Sequence, residues 1–189
     1  KVFNVDIAEV TREQRSRAKA VNFGIAYGQG AFGLSQNLGI PRAEAKQIID
    51  DYFAQFPGVR NYMDEMSGFC RTHGYIKTLM GRRRYLPDIT SANNTVRAQA
   101  ERIAINAPMQ GSAADIIKVA MVNIHRDIKA QGLKSRLLLQ VHDELVFDVH
   151  ADELAAMKEL VKQRMEGALA LDVPLVVDMG VGKNWLEAH

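Results

Sequence analysis

The spacing of apolar residues divides the chain into a helical first part and a last third that mixes strands with helix. A helix is predicted from Thr11, a good N-cap with Glu13 and Gln14 in the first turn, to about Ala26. Gly28, Gly30 and Gly33 then interrupt the pattern, and a short helix is expected to end near Asn37, before Gly39-Ile-Pro41. Ala45, Ile48, Ile49, Tyr52 and Phe53 recur at helical spacing, so 42–55 reads as an amphipathic helix. Pro57-Gly58 breaks it, and another helix is predicted over about 59–73. Tyr75–Met80 and Arg84–Leu86 read as a small hairpin with Arg82-Arg83-Arg84 at its turn. The helical pattern returns from about Thr95 to Ile105. Pro108 is expected to kink or restart that helix, which continues to about Ala130. Arg136–Val141 and Leu145–Val149 read as two strands joined through a tight turn at His142-Asp143-Glu144. A helix over 151–169 and a third strand over 174–181 complete the prediction. The fold class is therefore α+β, with a small antiparallel sheet covered by helices.

Composition narrows the function classes. An apolar fraction of 47% is enough for a sizeable core. The single cysteine, Cys70, excludes an intrachain disulfide and a cysteine-based metal cluster. No run of apolar residues approaches the roughly 20 needed to span a bilayer, so a soluble, cytoplasmic protein is expected. The net charge of +2 conceals an asymmetry: residues 1–136 carry 20 Lys+Arg against 12 Asp+Glu, whereas 137–189 carry 4 against 10. A basic part followed by an acidic one suits a polyanion for the first and a cation for the second, though solvated surface has the same composition.

Three constellations can carry chemistry. Arg15, Lys19, Phe23 and Tyr27 lie four residues apart, which on a helix forms one stripe drifting about 40° per step. Two cations a turn apart can hold a triphosphate, and aromatics farther along can face a sugar or base. The same spacing also fits solvated cations at one end of a helix and core aromatics at the other. His142-Asp143-Glu144 places two carboxylates side by side between apolar strands. A divalent cation would relieve their repulsion, since Mg²⁺ sites use one or two carboxylates plus phosphate oxygens; an exposed acidic turn is the plain alternative. Arg102, Asn106 and Gln110, again four apart, suit minor-groove contacts to purine N3 and pyrimidine O2. Gly28-Gln-Gly30-Ala-Phe-Gly33 fits G-x-G-x-x-G, but a helix rather than a strand precedes it, which excludes a dinucleotide-binding βαβ unit.

In order along the chain, these segments resemble the DNA polymerase I-type (family A) DNA polymerases. Arg15-x-x-x-Lys19-x-x-x-Phe23-x-x-x-Tyr27-Gly28 is similar to motif B, and Val141-His142-Asp143-Glu144 to motif C. Thr78–Pro87, Glu101–Asp115 and Gly180–Trp185 match between and beyond them, so the resemblance covers essentially the whole chain. It implies template-directed DNA synthesis, with a fingers region over 1–92 and a palm portion over 93–189. It implies that Arg15, Lys19, Phe23 and Tyr27 bind the incoming dNTP, with Lys19 donating a proton to the leaving pyrophosphate. It implies that Arg102, Asn106, Gln110 and His142 contact primer–template DNA. Asp143 would bind the catalytic metals, two Mg²⁺ ions only partly liganded here, with Glu144 assisting. Ser16 stands where some relatives carry a second arginine, and no D-Y-S-Q-I-E-type strand, the family's motif A, occurs in the sequence. The 189 residues alone are therefore expected to be inactive without an upstream polymerase segment carrying motif A. A non-catalytic DNA- and nucleotide-binding subunit of a split phage-type polymerase is the alternative, and an unrelated helical phosphate-binding module a third. The family implies a role in replication and repair at the nucleoid and no membrane partner.

Overall fold

A computed structural model of the chain describes residues 5–188. The fold is α+β: seven α-helices among the described residues and two small antiparallel hairpins. The chain falls into two compact units, the first ending at Gln110 and the second beginning at Gly111. The first four residues of the expected lead-in lie outside the described residues.

In the first unit, α1 (Arg12–Ala26) begins on a full capping box. The Thr11 hydroxyl accepts from the Gln14 backbone N–H, and the Gln14 side chain accepts from the Thr11 N–H. Two otherwise unpaired backbone donors at the helix start, those of Thr11 and Gln14, are thereby satisfied. Gly28, at φ 79°, turns the chain out of α1 in the left-handed region that glycine enters without steric cost. Helices α2 (Ala31–Leu38), α3 (Arg42–Gln55) and α4 (Pro57–His73) follow close to their expected limits. Val21, Ile25, Leu34 and Ala45 form one core cluster joining α1, α2 and α3. Strands β1 (Tyr75–Lys77) and β2 (Arg83–Tyr85) pair antiparallel, with Ile76 opposite Arg84. The basic triplet is thus not confined to the turn: Arg83 and Arg84 are strand residues. A second core, around Cys70, Ile76, Leu86, Ile89, Ala100 and Ala104, holds this hairpin against α4 and the start of α5 (Asn94–Ala130).

Helix α5 does not restart at Pro108. It runs without interruption through the buried Pro108. A proline inside a helix removes one backbone donor and crowds the preceding turn. One turn before Pro108, the Tyr62 hydroxyl donates to the Ile105 carbonyl at 3.0 Å.

In the second unit, β3 (Arg136–Val141) and β4 (Glu144–Asp148) form a hairpin with a bulge between Leu137 and Leu139. Glu144 pairs with Val141 and so belongs to the strand; only His142 and Asp143 make the turn. Leu145, Phe147 and Val149, two apart, point one face of the hairpin at Ala120, Ile124 and Ile128 and at α6 (Leu154–Glu166). The helix expected over 151–169 is shorter, starting as a 3-10 turn over Ala151–Glu153. The third strand expected over 174–181 does not form among the described residues. Its apolar residues favour extended backbone, but a strand also needs a hydrogen-bonded neighbour. The Val177 N–H instead donates to the Glu166 carboxylate. A short helix, α7 (Trp185–Ala188), follows. No described helix is long and apolar enough to cross a membrane.

Candidate functional site

Helix α1 separates its faces by residue type. Val21 and Ile25 are each 1% exposed and form the core side. Two residues along a helix is a rotation of about 200°, so Lys19, Phe23 and Tyr27 stand on the opposite side. Arg15 and Lys19 are exposed there, and among the described residues neither makes an ion pair. Phe23 is 50% exposed and Tyr27 44%. Their rings lie 6.1 Å apart at 24°, a near-parallel stack open to solvent. The aromatics are therefore not core residues, and the alternative in which the stripe ends in the core is excluded by their exposure. What remains is a solvent-facing row of two cations and two stacked rings. It can receive a group that is anionic at one end and flat at the other.

The C-terminal end of the stripe is tied to α5. The Asn106 side-chain amide donates to the Tyr27 carbonyl at 3.1 Å, across 79 residues of sequence. A Cβ placed on Gly28 would lie 3.4 Å from Arg102 Cγ. The turn after α1 thus rests on the helix face that carries Arg102 and Asn106. Asn106 Oδ1 is buried and has no hydrogen-bond partner among the described residues.

Arg102, Asn106 and Gln110 line a cleft of about 420 Å³ together with Arg84, Gln99, Ile103 and Ala107. All three predicted residues of this group therefore share one concavity. Two further polar lining residues lie off the four-residue spacing. Gln99 stands three residues before Arg102, the other helical near-neighbour distance. Arg84 is placed by pairing, since Ile76 opposite it points into the core. The cleft is lined by two arginines and three carboxamides and by no carboxylate. It suits an anionic, hydrogen-bonding surface such as a nucleic-acid backbone and groove edge.

The second unit carries the acidic turn. His142 has φ 53°, the left-handed region that non-glycine residues seldom occupy, and its carbonyl accepts from the Gln140 side-chain amide at 2.8 Å. Asp143 is exposed at the tip and makes no hydrogen bond or ion pair among the described residues. Glu144 is half-buried, and the Trp185 indole N–H donates to its Oε2 at 3.4 Å. The described residues contain no group of three or more histidine, cysteine or acidic side chains placed to hold a metal. Asp143 and Glu144 fit a hard cation only as a partial set, completed by oxygens from substrate or from elsewhere in a larger protein.

Against known proteins, the family model of DNA polymerase family A matches residues 1–187. DNA polymerase I of Streptococcus pneumoniae is 53% identical over 189 residues, all of this chain and 22% of that protein. DNA polymerase I of Bacillus subtilis is 53% identical over 187 residues, 99% of this chain and 21% of that protein. The chain thus spans about a fifth of the length of these curated relatives. A solved structure, the POL domain of Pol1 from M. smegmatis in complex with DNA primer-template and dNTP, superposes with a TM-score of 0.94 at 52% identity, covering 99% of this chain and 33% of that one. With the family model matched over residues 1–187, the chain belongs to DNA polymerase family A.

Proposed function

We propose that this chain is the dNTP-gripping and part of the metal-binding portion of an enzyme for template-directed DNA synthesis. The observation that carries the reading is the exposed stripe of α1, whose aromatic end faces solvent rather than the core. Arg15 and Lys19 take the triphosphate of the incoming dNTP, each contributing charge-assisted hydrogen bonds. Phe23 faces the sugar, and Tyr27 stacks near the template base. Arg102, Asn106, Gln110 and His142 contact primer and template.

The reaction is in-line attack of the primer 3′-hydroxyl oxygen on the α-phosphorus of the dNTP: the new O–P bond forms as the bond from the α-phosphorus to the bridging oxygen breaks, the hydroxyl proton passes to solvent, and pyrophosphate leaves. Lys19 delivers a proton to the departing pyrophosphate. Asp143, assisted by Glu144, would hold divalent cations, for which Mg²⁺ fits the all-oxygen donor set. When bound, two such ions supply charge stabilisation to the attacking and leaving oxygens. With one adjacent carboxylate pair as its whole acidic contribution, the 189-residue chain does not catalyse extension by itself. It requires a polymerase segment supplying the motif A aspartate. The expected setting is replication and repair at the nucleoid, in the cytoplasm.

Limited acylation of the purified chain, read at Lys19 by mass spectrometry, tests the nucleotide grip. A dNTP with Mg²⁺ should protect Lys19 while leaving the exposed Lys158 unprotected. Equal labelling of Lys19 with and without dNTP would contradict the proposal.

A further inference from the structure

The β1–β2 hairpin has a second face that the nucleotide grip and the α5 cleft do not use. Residues alternate sides along a strand, so Ile76 and Arg84 share one face and Tyr75, Lys77, Arg83 and Tyr85 share the other. The first face is spoken for: Ile76 is 1% exposed in the core, and Arg84 lines the cleft. The other face is a layer of rings and cations. The Arg83 guanidinium lies 4.6 Å from the Tyr75 ring centre, and Tyr85 meets Tyr75 edge-on at 5.7 Å. On the adjoining end of α4, Phe69 stacks on His73 at 4.1 Å and meets Tyr75 edge-on at 5.6 Å, with Lys77 Nζ 5.5 Å from the Phe69 ring.

None of these rings belongs to the core beneath, and Tyr85 keeps 66% of its surface exposed. Between Gly74 and Pro87 the sequence has four cations and no carboxylate. Among the described residues Lys77 and Arg83 make no ion pair. Cation–ring contacts at exposed positions are weak, and they leave the like charges of so small a hairpin uncompensated. A polyanion compensates them, and open ring faces additionally select one whose flat groups are free to stack. A duplex keeps its base faces buried; a single strand offers them.

We propose that the outer face of the β1–β2 hairpin, with Phe69 and His73 beside it, is a binding platform for single-stranded nucleic acid. A base stacks on Tyr85, and phosphates lie along Lys77 and Arg83. In choosing a nucleic acid over an acidic protein, the inference rests on the DNA-synthesis reading. The strand it would hold is unpaired template.

The test is fluorescence anisotropy of the full 189-residue chain with a labelled oligothymidylate of about twelve nucleotides, within the range of known single-strand site sizes. Tyr85→Ala should weaken binding about fivefold or more, and Tyr85→Phe, which keeps the ring, should restore it. The double variant Lys77→Gln/Arg83→Gln should bind more weakly and reduce the slope of log affinity against log salt by about 1.4. Affinity for duplex DNA should be nearly unchanged by Tyr85→Ala. Parental single-strand binding by both Tyr85→Ala and the double variant would overturn the platform, as would equal binding of polyglutamate. If Arg102→Ala lowers duplex affinity while the hairpin variants lose nothing, the platform fails and the DNA-binding reading stands. If the hairpin variants lose single-strand binding while Lys19 shows no dNTP protection, the platform stands and the polymerase reading fails.

Discussion

Replacing Asn106 with alanine separates the positioning role of this residue from any role in stability. The substitution deletes one hydrogen bond, from the side-chain amide to the Tyr27 carbonyl at 3.1 Å. Such a bond contributes about 1 kcal/mol net, with a range of about 0.5–1.5. Tyr27 lies at a half-exposed turn, where water can replace the lost donor. The same substitution also removes Asn106 Oδ1, a buried acceptor without a partner among the described residues. An unsatisfied buried group costs about 1–3 kcal/mol. Alanine is moreover the better helix former at this mid-helix position, by up to about 0.7 kcal/mol. The terms favour the variant: Asn106→Ala should lie between about 0.5 kcal/mol less stable and about 3 kcal/mol more stable than the parent. Urea unfolding followed by far-UV circular dichroism, with an unchanged slope, measures this directly. In a complete polymerase carrying this segment, the variant should nonetheless extend primers about 10- to 100-fold more slowly, because the turn that carries Tyr27 loses its tether and primer–template DNA loses the contact proposed for Asn106. Destabilisation beyond about 1.5 kcal/mol would show that the hydrogen bond outweighs the orphaned acceptor and refute the reasoning.

Other substitutions probe separate parts of the account. Gly28→Ala places a side chain at φ 79° and should cost about 1–2 kcal/mol, read from the urea midpoint, with little change in unfolding slope. Glu153 is held below the usual carboxylate range, first by the Lys134 backbone N–H and then by the Ser135 hydroxyl, with the Ser135 N–H and His150 adding to the effect. A depressed carboxylate stabilises the fold above its unfolded pKa and loses that contribution as pH falls through its folded value. Glu153→Gln should therefore flatten the acid limb of a stability–pH profile, and an identical limb in both proteins would count against this. Phe23→Tyr, on a ring 50% exposed, should ease acceptance of dideoxynucleotides by the complete enzyme, the phenol standing in for the missing 3′-hydroxyl contact. Unchanged discrimination would refute that assignment.

How much of this was legible in the sequence follows from the range of each interaction. Thr11 with Gln14, the amphipathic pattern of 42–55 and the stop at Gly39 are local, and the helices they predict are present. The stripe itself is local too, but whether Phe23 and Tyr27 face core or solvent depends on Val21, Ile25 and their partners on other helices. Pro108 does not restart the helix, because a proline removes only one donor from a helix of 37 residues. The segment 174–181 misleads, since apolar alternation cannot supply a ladder partner. The contact between Asn106 and Tyr27, and the place of Arg84 in the cleft, arise from chain segments far apart in sequence, where no periodicity reports on them.

The central claim is that this segment supplies the dNTP grip and the motif C carboxylate to a DNA polymerase. Primer extension by the longer protein that carries it, comparing the parent with Asp143→Ala, tests that claim most directly. Asp143→Ala should abolish extension while binding of primer–template, measured by anisotropy, stays within about twofold, because an exposed turn carboxylate adds little to DNA affinity. Extension at the parental rate by Asp143→Ala would contradict that claim.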